Sequence, residues 1–195
     1  MYWNHNTAYY KWIGRKVRKC SRILDVGCGI GTLAGYLCED GRKVIGIDSS
    51  ESCINRANEN WKDMNLQFRH QSFDEFTAED GSFDAVIFVA SIHHMDMTEA
   101  IKKAKKLLAE GGLIIIVGLA KSSSLLDKII DALRVVPAFI GSILHRMKTS
   151  EEKDIPVSYE FPEMDELRNV LNEQLGKTKI RYGLYWRYLM IWKKE

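Results

Sequence analysis

Gly27, Gly29 and Gly31 stand at alternate positions in "ILDVGCGIGTL" (23–33), after an apolar run that ends on Asp25 and Val26. Glycine reaches backbone conformations closed to other residues and lets a ligand approach bare main chain. A strand that turns through such a loop into a helix also presents free N–H groups at the helix start, a seat for polar or anionic ligands. No Lys-Ser/Thr pair follows the last glycine, only "GTL", which argues against a nucleoside triphosphate loop. Counted from Gly27, the sixth position is Thr32, so the dinucleotide spacing G-x-G-x-x-G is missing as well. The loop reads G-x-G-x-G. Asp48 closes a second apolar run, "KVIGID" (43–48), and lies about 20 residues past the glycines, where a ribose lies across a sheet edge. Its carboxylate can accept from both hydroxyls of one ribose. Loop and acid together point to a bound nucleoside, with no demand for a pyrophosphate.

A second group with chemical potential is the pair His93 and His94, which follows the run "SFDAVIFVA" (82–90). Imidazole exchanges a proton near neutral pH. Either ring could serve as a general base toward an oxygen or nitrogen acceptor, His94 being favoured. The alternative is a structural pair that orients its loop.

These residues need a scaffold, and the pattern supplies one. Strands are expected at 22–26, 43–48, 66–70, 82–90 and 113–119. Helices are expected at 32–40, at 51–61 with Ser49 or Ser50 as cap, at 98–112 ending at the pair Gly111–Gly112, and at 162–175. The run "LIIIVGL" (113–119) is apolar throughout, as a strand covered on both faces must be. Repeated strand–helix–strand units predict an α/β fold with a parallel sheet and helices on both faces. Residues 122–147 read as one or two amphipathic helices interrupted at Pro137. The ending "KTKIRYGLYWRYLMIWKK" alternates around Gly183 as a terminal antiparallel pair does.

In this order "LDVGCGIGTL", "VIGID", "FDAVIFVASIHHM" and "LLAEGGLIIIV" resemble the class I S-adenosylmethionine-dependent methyltransferases, and within them the small-molecule branch of ubiquinone and menaquinone biosynthesis. The resemblance covers about residues 20–120 and extends to the terminal strand pair. It implies a Rossmann-like seven-stranded, mostly parallel sheet whose last strand is antiparallel, with a helical insertion after the fifth strand. One domain, 1–195, is then expected: an N-terminal helical cap (1–19), a cofactor-binding core (20–120), the insertion (121–160), and a C-terminal helix with the strand pair (161–195).

The implied cofactor is S-adenosylmethionine, with S-adenosylhomocysteine as product. By resemblance, the Asp25 turn with Gly27, Cys28, Gly29 and Gly31 lies along its methionine end, Asp48 binds the ribose, and Ser49 lies beside the adenine. Ser72 stands where the family often carries an Asp that meets the adenine amino group, with Phe73 next; the Ser72 hydroxyl, a backbone amide or Asp74 could serve instead. Val89 and Ala90 fall where backbone carbonyls meet the cofactor's amino group. In the aromatic N-terminal segment, Tyr9, Tyr10 or Trp12 could close over the site, an aromatic face being able to attract the sulfonium. The other reading of that segment is a helix packed on the sheet.

The expected activity is methyl transfer to a small or amphipathic acceptor; the alternative is a noncatalytic cofactor-binding module with a regulatory or scaffolding role. A nicotinamide oxidoreductase is a more distant third. The chain has 195 residues, 46% hydrophobic and 28% charged, with a formal charge of +2, so nothing pulls it strongly toward nucleic acid. The runs "RKVRK" and "KKAKK" read as solvated helix faces. The insertion could be a packed helical pair, a lid over the acceptor, or a membrane-surface helix. Cys20, Cys28, Cys38 and Cys53 lack C-x-x-C spacing and read as reduced core thiols. No motif calls for a metal. No apolar run is long enough to span a bilayer, and the N-terminus lacks a signal-peptide pattern, so a cytoplasmic location is expected.

Overall fold

Apolar runs with side chains buried on both sides become the strands of one sheet. The structure is a computed structural model that describes residues 4–38, 41–62, 64, 66–122, 129 and 161–195. The strands are β1 (Arg22–Val26), β2 (Lys43–Asp48), β3 (Leu66–His70), β4 (Phe83–Val89), β5 (Leu108–Leu119), β6 (Ile180–Tyr182) and β7 (Arg187–Lys193). They form a seven-stranded sheet in the order β3-β2-β1-β4-β5-β7-β6. β1 to β5 pair in parallel, and β7 inserts antiparallel between β5 and β6. The Rossmann-like arrangement expected from the sequence is present.

Successive side chains of a strand point to opposite faces. In β1, Ile23 joins one cluster and Leu24 the other; in β5, Ile115 and Val117 oppose Ile114 and Ile116. Helices cover both faces. α1 (Tyr10–Lys16) and α2 (Thr32–Cys38) supply Ile13, Leu33 and Leu37 to one cluster. α4 (Met97–Leu107) and α5 (Met164–Leu175) supply Ile101, Ala104, Leu167 and Leu171 to the other. Burial of each large aliphatic side chain contributes about 1.5–3 kcal/mol, so the two layers hold the sheet from both sides. α3 (Glu51–Asn60) rests on β2 and β3. Of the two candidate serines, Ser50 caps it, its Oγ accepting from Cys53 N at 3.3 Å. Asp96 caps α4, accepting from Glu99 N at 3.0 Å.

One boundary differs from expectation. α4 ends at Leu107, and the Gly111–Gly112 pair belongs to β5 rather than to a helix cap. Leu108 is fully buried and extended and pairs with Phe83, whereas Ala85 pairs with Leu113. The intervening residues of β5 form a bulge, within which Gly111 is left-handed at φ 75°. Burial of Leu108 ends the helix before the glycines can. The insertion helices expected at 122–147, Pro137 among them, lie outside the described residues apart from Ser122 and Ile129.

Candidate functional site

The carboxyl ends of β1, β2 and β4 meet at a cavity of about 370 Å³. The glycine loop forms its floor. Gly27 N and Cys28 N both donate to Ile47 O, at 2.9 and 3.0 Å, so the loop is pinned to the end of β2. Gly27 sits at φ 71°, and a Cβ there would lie 2.4 Å from the Cβ of Ser91. Only glycine satisfies both constraints. At Gly29 a Cβ would meet nothing within 4 Å: its bare face belongs to the cavity. Gly31 does not line the cavity; it packs under the Phe68 ring, where a Cβ would be 2.4 Å from Cζ. Its place in the loop is structural contact with β3.

Asp48 is fixed from two sides. Its Oδ2 accepts from Gly29 N at 2.8 Å and its Oδ1 from Ser50 N at 2.9 Å. Each carboxylate oxygen keeps a second lone pair, so the group can still accept from a ligand. Asp25 lies deeper in the wall, and its Oδ2 has no hydrogen-bond partner among the described residues. Burial first, and the neighbouring Asp48 second, push its carboxyl up to about 7. Cys28 also lines the cavity; burial, then Asp25, push its thiol far up, which leaves it unreactive.

Ser49, Ser72, Phe73 and Asp74 line the β2–β3 side. The Ser72 hydroxyl donates to Glu75 Oε2 at 2.9 Å, and Glu75 N points back to Ser72 Oγ at 3.3 Å, a reciprocal turn lock. Ser72 is therefore occupied by its own turn. The Phe73 ring meets Phe88 edge-on at 5.6 Å, and Asp74 is exposed. Val89 and Ala90 line the β4 side. Ala90 is left-handed at φ 53°, a conformation unfavourable for alanine, and its N–H donates to Val117 O at 2.8 Å.

The histidines part company. His94 is exposed and lines the cavity; His93 does not line it. His93 is half-buried, 4.1 Å from the His94 ring and 5.0 Å from Phe161. Burial, then His94 and the Arg187 guanidinium, push it down to about 4, so it stays neutral near pH 7. Of the N-terminal aromatics, Tyr10 lines the cavity and its hydroxyl bonds Thr32 Oγ1 at 2.7 Å. Tyr9 instead donates to Leu184 O at 2.6 Å, and Trp12 packs in the α1–α2 layer.

Ser91, Asn4 and Asn6 also line the cavity and were not singled out from the sequence. Ser91 Oγ donates to Val26 O at 2.5 Å, and Ser91 O accepts from His94 N at 3.1 Å. The serine thus ties the glycine loop to the histidine turn. A polar residue directly after an apolar strand was the available signal.

The cradle suits a nucleoside that carries an amino acid: bare main chain at Gly29, a carboxylate aimed from β2, and an orphaned buried carboxyl oxygen at Asp25 that a cation would satisfy. Residues 23–112 match the family model of the methyltransferase domain. Over this core the chain is similar to methyltransferases. The chain is 28% identical to an uncharacterized methyltransferase of Mycobacterium tuberculosis, over 98% of its own length and 96% of the relative's. Its fold is similar to that of a Pyrococcus horikoshii protein, with a TM-score of 0.70 at 19% identity, over 97% of this chain and 89% of that one. It is also similar to magnesium protoporphyrin IX methyltransferase of Synechocystis, solved with bound S-adenosylmethionine, with a TM-score of 0.60 at 17% identity, over 97% of this chain and 78% of that one. Among the described residues no helix is long and apolar enough to cross a membrane.

Proposed function

We propose that this chain is an S-adenosylmethionine-dependent methyltransferase acting on a small or amphipathic acceptor, with His94 as the group that takes the acceptor's proton. The observation that carries the donor side of the reading is the Asp48 carboxylate, fixed 2.8 Å from Gly29 N beside bare loop backbone. In this reading Asp48 receives the ribose hydroxyls, and Gly27, Cys28 and Gly29 lie along the amino-acid end above Asp25. Val89 and Ala90 offer backbone carbonyls to the amino group. Ser49, Phe73 and Asp74 border the adenine; Ser72 shapes the turn that carries them. S-adenosylmethionine, when bound, supplies an electrophilic methyl group on a sulfonium.

The rest is positioning. Holding acceptor and donor in line accounts for much of the acceleration in such a displacement. His94, at the cavity wall, is supported as the base by its exposure there and by the Ser91 link that fixes its backbone. Neutral His93, its ring tilted against that of His94, fixes the turn and takes no proton. Tyr10, held by Thr32, closes the wall from the N-terminal side. A small-molecule acceptor is supported by similar structures whose names specify small substrates, magnesium protoporphyrin IX among them.

Calorimetric titration with S-adenosylhomocysteine tests the donor half. Wild type binds, and Asp48→Ala weakens binding by about 10- to 100-fold, the loss expected when hydrogen bonds to a charged group are removed. Absence of binding to wild type overturns the reading. Incubation with S-adenosylmethionine and fractionated metabolite extract, read as S-adenosylhomocysteine formed, tests the acceptor half; turnover confined to macromolecular fractions overturns it.

A further inference from the structure

A second cavity, of about 340 Å³, opens at the opposite, amino-terminal edge of the sheet, between the end of α1 and the β5 bulge. Its rim carries Arg15, Lys16, Arg18, Lys19 and Lys193. Among the described residues, none of these five side chains makes an ion pair or a hydrogen bond. Two acids, Asp84 and Glu110, also line the wall, so cations are in excess there. Asp84 is engaged by Ser21 N and Arg22 N at 2.9 Å and by Arg22 Nη2 at 2.8 Å. Glu110 faces Lys194, at 4.0 Å.

Arg15 and Lys16 lie in the last turn of α1, where cations complement the helix dipole. That does not account for Arg18, Lys19 or Lys193, which converge on the same concavity from a loop and from the far end of β7. A cleft with an excess of one sign of charge raises the local concentration of counter-ions. Guanidinium forks match phosphate oxygens bidentately, and ammonium groups add point charges. Five cations around a hollow of this size suit a ligand with several negative charges in a small volume. All five are exposed at the rim, so a compact polyphosphate seated in the hollow meets them from several sides at once.

We propose that this cleft binds a compact di- or triphosphate group, at a site separate from the donor cavity. The proposal does not depend on the acceptor or on methyl transfer.

Calorimetry with inorganic tripolyphosphate, on the full chain at low and at physiological salt, tests it. Wild type binds one equivalent saturably, more weakly as salt rises. The double charge reversal Arg15→Glu with Lys19→Glu weakens that binding at least about tenfold, the loss of one charge-assisted contact or more. The thermal melt and S-adenosylhomocysteine affinity of the variant stay at wild-type values, which separates loss of the cleft from misfolding. No saturable binding by wild type overturns the proposal. So does binding that survives the reversal, or binding shown only to anionic vesicles or duplex DNA.

Discussion

The side chain of Ser91 fills the space that any side chain on Gly27 would need, the two Cβ positions lying 2.4 Å apart. The serine hydroxyl donates to the carbonyl just before that glycine, Val26 O, at 2.5 Å. The ends of β1 and β4 are therefore locked in one arrangement. Gly27→Ala meets both a left-handed φ and this contact, and loses about 2 kcal/mol of stability or more. Ser91→Ala leaves the Val26 carbonyl without its partner and loses about 1–3 kcal/mol. Urea midpoints check both, and Gly27→Ala also loses S-adenosylhomocysteine binding. A neutral Gly27→Ala removes the lock.

Asp25 gives a pH dependence with a definite sign. Its carboxyl rises from 3.8 to about 7 in the folded chain. Between those values the folded chain keeps a proton that the unfolded chain has lost. This group therefore lowers stability progressively as pH rises from about 4 to 7, by an amount on the order of a few kcal/mol. Asp25→Asn removes that slope, so the variant gains on wild type as pH rises; urea midpoints from acid to neutral pH measure the difference. A cation bound beside Asp25 favours the ionised form, so titration of S-adenosylhomocysteine below pH 7 releases a proton, read from heats in buffers of different ionisation enthalpy. Equal heats in all buffers contradict it.

The two histidines separate in kinetics. His94→Ala cuts turnover by roughly 10²-fold while S-adenosylhomocysteine affinity stays put. His93→Ala acts on the melting temperature first, because the ring is half-buried against His94 and Phe161. Unchanged turnover in His94→Ala removes its assignment as the base.

Tyr10 separates hydrogen bonding from wall closure. Tyr10→Phe keeps the ring and loses the bond to Thr32, for about 1 kcal/mol of stability. Tyr10→Ala opens the cavity wall, and S-adenosylhomocysteine affinity falls severalfold further than in Tyr10→Phe. Equal affinities in the two variants show that the ring plays no part in binding.

How much of this was legible in the chain follows the range of the forces involved. β1, β2, β4 and β5 announce themselves because much of each is buried on both faces, which leaves apolar stretches such as AVIFV (85–89) and LIIIV (113–117). Gly27, Gly29 and Asp48 were found because turn chemistry and a carboxylate at a strand end are local signals. Ser91 was not, because its partner Val26 lies across the β1–β4 pairing, whose register no local pattern numbers. Asn4 and Asn6 were missed for the same reason: they reach the cavity only once the N-terminal segment has docked. Gly31 carried the right residue type, yet its φ of 77° serves packing against Phe68 rather than a ligand. The end of α4 was misplaced because Leu108, which looks helical in sequence, is drawn into the sheet by its burial beside Phe83.

The floor of the donor cavity is built from amide groups, which every amino acid but proline provides. Substitution at Cys28 or Ile30 by another residue of similar bulk leaves those donors in place. Evolution can thus rewrite the lettering of this loop while its grip persists, so long as Gly27 keeps room for Ser91.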